Sequence, residues 1–302
     1  MNEHEIEQPM LQTYRDQYRD LGYFVVPDLL DSAEIQRFRD VIDALFERSR
    51  KLTSSNDVFD LEPEHTSERP RIRRIKAPHR VDPVFDEFMR HPRLLKILTA
   101  ILGPDIRHQY VKLNTKAADG GAPLEWHQDW AFYPHTNDSV LAVGLMIDDV
   151  GPDNGPTLLI PGSHRPRRVL DHHRDGVFVG AIDPDEGGID FSEAVPVTGS
   201  AGTIYVFDAF IVHGAGRNTS PRIRRNCFYE FMASDAWPLE GIHGEDMKKV
   251  LGPIESRAVA GRAMVTPRLT EVPVRLPLPR PAGQHYGSIY EVQHAMPKRF
   301  FA

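Results

Sequence analysis

The sequence predicts a mainly β protein: one jelly-roll or barrel-like β core with a layer of helices packed outside it. Three observations predict it. The first hundred residues carry helical spacing with capping signals, short strand-like runs follow one another from Ile106 onward, and turn signals such as 153–156 (Asp-Asn-Gly-Pro) and Pro161-Gly162 divide those runs. About eight strands with helices set before them need a closed β core to bury their apolar faces, with the helices covering it.

Bulk properties narrow the function classes. A chain of 302 residues can build a sizeable core, and 40% hydrophobic with 26% charged residues is an ordinary globular balance. The formal charge of −7 gives no support for a nucleic-acid or anionic-membrane partner, which leaves a small molecule as the expected one. The single cysteine, Cys227, excludes an intrachain disulfide and fits a reducing compartment. No apolar run approaches the roughly 18 residues of a membrane span, and the opening MNEHEIEQ lacks the basic and apolar regions of a signal peptide, so a cytoplasmic protein is expected. The oligomeric state stays open between monomer and homodimer.

In order, Leu11, Tyr14, Tyr18 and Leu21 mark a first helix that Gly22 stops, and a short strand spans 23–26 before Pro27. A second helix opens on Asp31, with Glu34 to close a capping box and Leu30 with Ile35 to staple it. Its apolar stripe runs from Ile35 to Phe46, ending near Lys51. Residues 52–70 are polar and aperiodic, the pattern of a mobile loop or lid. Pro83 and Pro92 each open a short helix, and Gly103 closes the second. Strands are expected at 106–114, 124–130, 140–147, 157–160, 177–182, 194–198, 202–208 and 224–232. The segment from about 236 to 302, rich in proline and arginine toward its end with LPLPRPAGQ, reads as an extended wrap over the surface. The whole chain is expected to form one domain: a helical part to about 105, the β core from about 106 to 235, and the wrap.

One stretch, Glu125-Trp126-His127-Gln128-Asp129-Trp130, carries the chemistry. On a strand, residues two apart share a face, so His127 and Asp129 project side by side as two-thirds of a two-histidine, one-carboxylate metal site. Trp126 and Trp130 then face away, while Phe132 or Tyr133 reaches the pocket. His213 is the best third ligand, standing at the end of the strand-like run 202–212 before the small residues Gly214, Ala215 and Gly216. His164 lies in a turn, His172 and His173 lie in a solvated basic run, and His135, His243 and His285 have no acidic partner two residues away on a strand. Eleven residues past His213, Arg224 opens an alternating strand that puts Arg224, Asn226, Phe228 and Glu230 on one face. A guanidinium aimed into a barrel needs an anionic guest, and a dicarboxylate meets that need by chelating the metal at one end and taking the arginine fork at the other.

Together GAPLEWHQDW, NGPTLLIPGSH and HGAGRNTSPRIRRN resemble, in order, the phytanoyl-CoA dioxygenase family of Fe(II)- and 2-oxoglutarate-dependent oxygenases, from about residue 22 to 232. The resemblance implies a double-stranded β-helix, cupin-like core and an enzyme that uses Fe(II), 2-oxoglutarate and O2 to hydroxylate or otherwise oxidise a small organic molecule, releasing succinate and CO2. It assigns iron to His127, Asp129 and His213, and the far carboxylate of 2-oxoglutarate to Arg224. Similarity to the ectoine-hydroxylase branch adds Asn114, Phe207 and Asn226 as co-substrate contacts, while Ala142 stands where that branch has a serine. Tyr110 and Tyr133 stand where that branch grips its substrate with other residues, which sets ectoine aside and leaves Tyr110, Phe132 and Tyr133 as candidate substrate contacts. Asp129 itself implies oxidation rather than halogenation, since halogenating relatives carry a small residue there.

Two other classes compete: a binding or sensor protein with a vestigial metal site, and a cupin-type metalloenzyme with no use for Arg224. The basic runs 69–76 (RPRIRRIK) and 164–168 are solvated surface on the plain reading, and a phosphate contact for a coenzyme A ester on the sharper one.

Overall fold

The computed structural model describes residues 7–183, 185, 188–239, 253–280, 289–293 and 299–301, so His243 and His285 lie outside the described residues. Helix α1 (Gln8–Leu21) ends on Gly22 at φ 84°, whose N–H returns to the Tyr18 carbonyl. Strand β1 (Tyr23–Val26) leads into α2 (Ser32–Ser49), which carries the expected capping box: Asp31 accepts from the Ala33 and Glu34 N–H groups, and Glu34 accepts from the Asp31 N–H. Two shorter helices, α3 (Val84–Met89) and α4 (Pro92–Leu102), complete the layer. Phe38 meets Phe85 and Phe88 edge-on, and Phe88 lies 4.8 Å from the Tyr229 ring, which is how the helices seal the outer face of the β core.

That core is two antiparallel sheets. The larger runs in the order β1, β11 (Ile204–Asp208), β6 (Val140–Met146), β13 (Arg224–Ala233), β4 (Ile106–Lys116), β3 (Ile72–Lys76) and β2 (Phe59–Leu61), with β14 (Ala258–Ala260) also pairing β4. The smaller runs β10 (Val195–Val197), β7 (Thr157–Leu159), β12 (His213–Ala215) and β5 (Leu124–His127), and β8 (His173–Arg174) with β9 (Val177–Phe178) forms a separate hairpin. The mainly β jelly-roll expectation holds.

Several local expectations fail for identifiable reasons. Residues 52–70 are not a free lid, because β2 pairs β3 at the sheet edge. The basic run 69–76 is not a solvated surface beyond the exposed Arg69. Arg71 donates to Glu62 at 2.6 Å and Arg73 to Asp60 at 2.7 Å, all four buried, so these two charges are neutralised within the fold. The run 202–212 breaks at Asp208, and His213 opens a strand of its own in the other sheet. His172 and His173 are buried rather than solvated.

The tail is partly what its composition suggests, with Val265 and Leu269 largely exposed, but a last short helix, α5 (Ile289–Gln293), returns to the interior. No helix among the described residues is long and apolar enough to cross a membrane.

Buried histidines make the fold acid-sensitive. Burial depresses His79 and His135 to about 4 and His108 to about 3. The unfolded chain therefore binds more protons than the folded one from about pH 6.5 down to those values, and stability falls with pH across that window. Glu62, Asp208 and Glu230, raised by burial, bind protons in the folded state and offset part of the loss. Urea denaturation is expected to give several kcal/mol less stability at pH 5 than at pH 7, each histidine contributing about 1.4 kcal/mol per pH unit.

Candidate active site

Strand register brings the predicted metal ligands together. His213 of β12 pairs directly across from His127 of β5, with the two rings 4.0 Å apart. The strand ends at His127, and a 3-10 turn over Asp129–Ala131 swings the carboxylate in, so Asp129 reaches its place by a turn and not by strand alternation. Its Oδ1 lies 3.9 Å from the Nε2 atoms of both histidines, and one donor from each residue falls within 4.8 Å of the other two.

The donors suit a metal ion. Each histidine donates from Nδ1 to a carbonyl two residues back, His127 to Glu125 at 2.7 Å and His213 to Ile211 at 3.1 Å. A carbonyl only accepts, so the proton sits on Nδ1 and the Nε2 lone pair faces the cluster. Burial lowers both imidazoles' pKa, keeping them neutral as ligands must be. Phe132 and Phe207 back the two rings at 5.6 and 4.9 Å.

Gln128, between the ligands, turns outward and stitches the turn in place. Its amide donates to the carbonyls of Arg168 and Phe210, and its carbonyl accepts from Leu170 N–H. His172 accepts the Gln128 backbone N–H at 3.0 Å, a supporting contact that its polar sequence context concealed.

The cluster opens into a cavity lined by residues of both sheets. Arg224 lines it from the larger sheet, buried, with one Nη donating to the Gly155 carbonyl and its Nε without a partner among the described residues. Burial lowers the pKa of the guanidinium, as it must for a cation awaiting a counter-charge. Asn114 and Phe207 also line the cavity; Asn226 stands behind, donating to the Tyr205 hydroxyl, which also bonds Thr157. Ala142 lines the wall, and Thr157 of β7 supplies a hydroxyl nearby.

Sequence reasoning missed five polar wall residues, Thr157 among them. Lys112 donates to Glu230 at 2.9 Å on the β4–β13 wall; Glu230 was expected there, its partner was not. Lys116 sits opposite Arg224 in the β4–β13 register, caged by the carbonyls of Ala122, Ala215 and Gly216, and burial pushes its pKa well down. Arg74 and Tyr290 complete the set. An unbroken alternation from Asn114 through Lys116 on β4 was the available signal for the lysines; nothing local marked Tyr290.

The substrate candidates fare differently. Tyr110, Phe132 and Tyr133 are buried but do not line the cavity. Phe132 is spent on the His127 ring, and Tyr133 lies against Asp129 and Glu230, whose charges add to burial in raising its pKa. Trp126 and Trp130 face away as expected, packing on Phe301 and Phe210.

A jelly-roll whose cavity is lined by two neutral imidazoles, a carboxylate and a buried arginine defines a non-haem metal oxygenase. The sequence matches the phytanoyl-CoA dioxygenase (PhyH) family model over residues 18–226. The chain belongs to that family and is a dioxygenase acting on a small molecule. It is 31% identical to a protein of Stutzerimonas stutzeri named probable alpha-ketoglutarate-dependent hypophosphite dioxygenase, over 97% of this chain and 100% of that one. It is 27% identical to the ectoine dioxygenase of Halomonas elongata, over 76% and 72%. The crystal structure of EctD from S. alaskensis with bound Fe shares the fold at a TM-score of 0.62 and 24% identity, covering 78% of this chain and 79% of that one.

Proposed function

We propose that this dioxygenase, which uses iron(II) and 2-oxoglutarate, oxidises a C–H or P–H bond of a compact anionic molecule in the cytoplasm, with the whole chain as one oxygenase domain. One observation carries the reading: the His127, Asp129 and His213 cluster and the buried Arg224 line a single cavity. Iron, when bound, supplies dioxygen activation and the oxidising power. The chain supplies position. His127, Asp129 and His213 would hold the ion, and Arg224 would take the far carboxylate of 2-oxoglutarate. Asn114 and Phe207 flank the co-substrate, and Asn226 steadies its end of the pocket through Tyr205.

Size and charge select the substrate. The cavity must hold 2-oxoglutarate and the substrate together beside one metal cluster, which favours a compact substrate. Four basic side chains, Arg74, Lys112, Lys116 and Arg224, line it against two carboxylates, Asp129 and Glu230, which favours an anion. A coenzyme A ester is disfavoured because Arg71 and Arg73 are already engaged by Glu62 and Asp60. Hypophosphite, named in the Stutzerimonas stutzeri relative, is the first candidate and fits both criteria.

The test is a panel of small anions, hypophosphite included, given to the iron-loaded enzyme with 2-oxoglutarate and oxygen. Succinate formation and the mass of the product are read together. One panel member is expected to raise succinate at least tenfold over the substrate-free rate; equal rates with every small anion, and a rise with a bulky neutral molecule, would overturn the substrate class.

A further inference from the structure

The family match ends at residue 226, yet Ile289 and Tyr290, far beyond it, line the metal cavity. Three sets of contacts hold them there. The Tyr290 ring lies under two guanidiniums of β3, with Arg73 Cζ 5.0 Å and Arg74 Cζ 5.5 Å from its centroid. Three residues on, the buried Gln293 accepts the Glu125 N–H at 3.0 Å and donates to the Gly180 carbonyl at 2.8 Å. Near the chain end, the Glu125 carboxylate accepts the Phe300 N–H at 2.7 Å, and Phe301 packs 5.3 Å from Trp126. The strand that carries His127 is thus latched to the tail that carries Tyr290.

Tyr290 borders two spaces. On its inner side is the cavity with Arg224 and Lys116; on its outer side is a surface cleft bounded by Arg73, Ala122, Arg217 and Arg299. The Ala122 carbonyl accepts from Lys116 Nζ at 2.6 Å, and Lys116 is the cross-strand partner of Arg224. The outer cleft therefore backs onto the cavity where Lys116 and Arg224 line it, with the Tyr290 ring as part of the partition. The phenol is close enough to Arg74 and Arg224 for both cations to act on it.

We infer that Tyr290 closes the far-carboxylate end of the cavity and so sets the length of the 2-oxo acid that the enzyme accepts. This rests on Arg224 as the co-substrate anchor. A five-carbon 2-oxo dicarboxylate ends at the Arg224 fork. One more methylene pushes the terminal carboxylate toward the Tyr290 ring, which the two guanidiniums and the Gln293 latch hold in place. Removing the ring joins the cavity to the outer cleft, which gives the longer acid room and lets water reach the Arg224 pair.

The test is anaerobic calorimetric titration of the iron-loaded protein with 2-oxoglutarate and with its six-carbon homologue, 2-oxoadipate. Wild type is expected to favour 2-oxoglutarate by about 100-fold, and Tyr290→Phe, which keeps the ring, to match it. Tyr290→Ala is expected to bind 2-oxoglutarate about tenfold more weakly and to bring the two acids within about tenfold of each other, with Gln293→Ala falling between. If Tyr290→Ala does not fold, Tyr290→Leu and Gln293→Ala carry the same comparison. A Tyr290→Ala protein that keeps the wild-type ratio overturns this inference alone. Wild-type protein that binds neither acid overturns the co-substrate reading and the inference with it.

Discussion

Replacing Arg224 with alanine is expected to weaken 2-oxoglutarate binding by roughly 30-fold to several thousand-fold, the span of the 2–5 kcal/mol lost when one partner of a buried charged pair is removed. The guanidinium is buried, its Nε has no partner among the described residues, and burial works against its charge. The ligand-free protein therefore carries a cost that only a bound anion offsets. The same substitution is expected to leave the melting temperature of the ligand-free protein unchanged or higher, because a desolvated cation is gone. Arg224→Lys keeps the charge but not the planar fork, and should fall between the two in affinity. Loss of affinity together with unchanged stability separates a binding role from a structural one. A cupin-type enzyme with no use for 2-oxoglutarate would instead keep its activity in the alanine variant.

His213→Ala is expected to abolish the thermal stabilisation that iron(II) gives the protein under anaerobic conditions. Ligand at about a hundred times its dissociation constant adds roughly 2.7 kcal/mol, enough for a rise of a few degrees in the wild type. His213 and His127 face each other across the β12–β5 pair, and both Nε2 atoms lie 3.9 Å from Asp129 Oδ1, so removing one imidazole leaves a two-donor site. The affinity loss should exceed the 10–100-fold typical of losing an outer hydrogen-bond partner of a ligand. The same comparison with His172→Ala, which removes such a partner from the Gln128 backbone, should show the smaller effect.

Much of this was legible in the sequence because it is encoded locally. Caps, stops and apolar stripes placed α1 to α4, and the spacing of His127, Asp129, His213 and Arg224 identified one cavity from four residues. What stayed hidden depends on pairing between distant segments. The run 69–76 looked like solvated charge because its partners, Asp60 and Glu62, sit in a stretch without periodicity; the β2–β3 pairing brings the two stretches together. Asp129 was expected on a strand beside His127, whereas the chain turns there under the hold of Gln128 and His172 on residues some forty positions away. Tyr290 belongs to a tail whose composition reads as surface wrap, and its burial follows from contacts with Arg73, Arg74 and, through Gln293, Glu125.

The central claim is that one cavity holds iron by His127, Asp129 and His213 and a dicarboxylate by Arg224. Its most direct test is the visible absorption of anaerobic protein mixed with iron(II) and 2-oxoglutarate. A weak charge-transfer band is expected that appears only when both are present, is lost in His213→Ala, and in Arg224→Ala needs far more 2-oxoglutarate to form. Wild-type protein that shows no band at any concentration, while remaining folded, would contradict it.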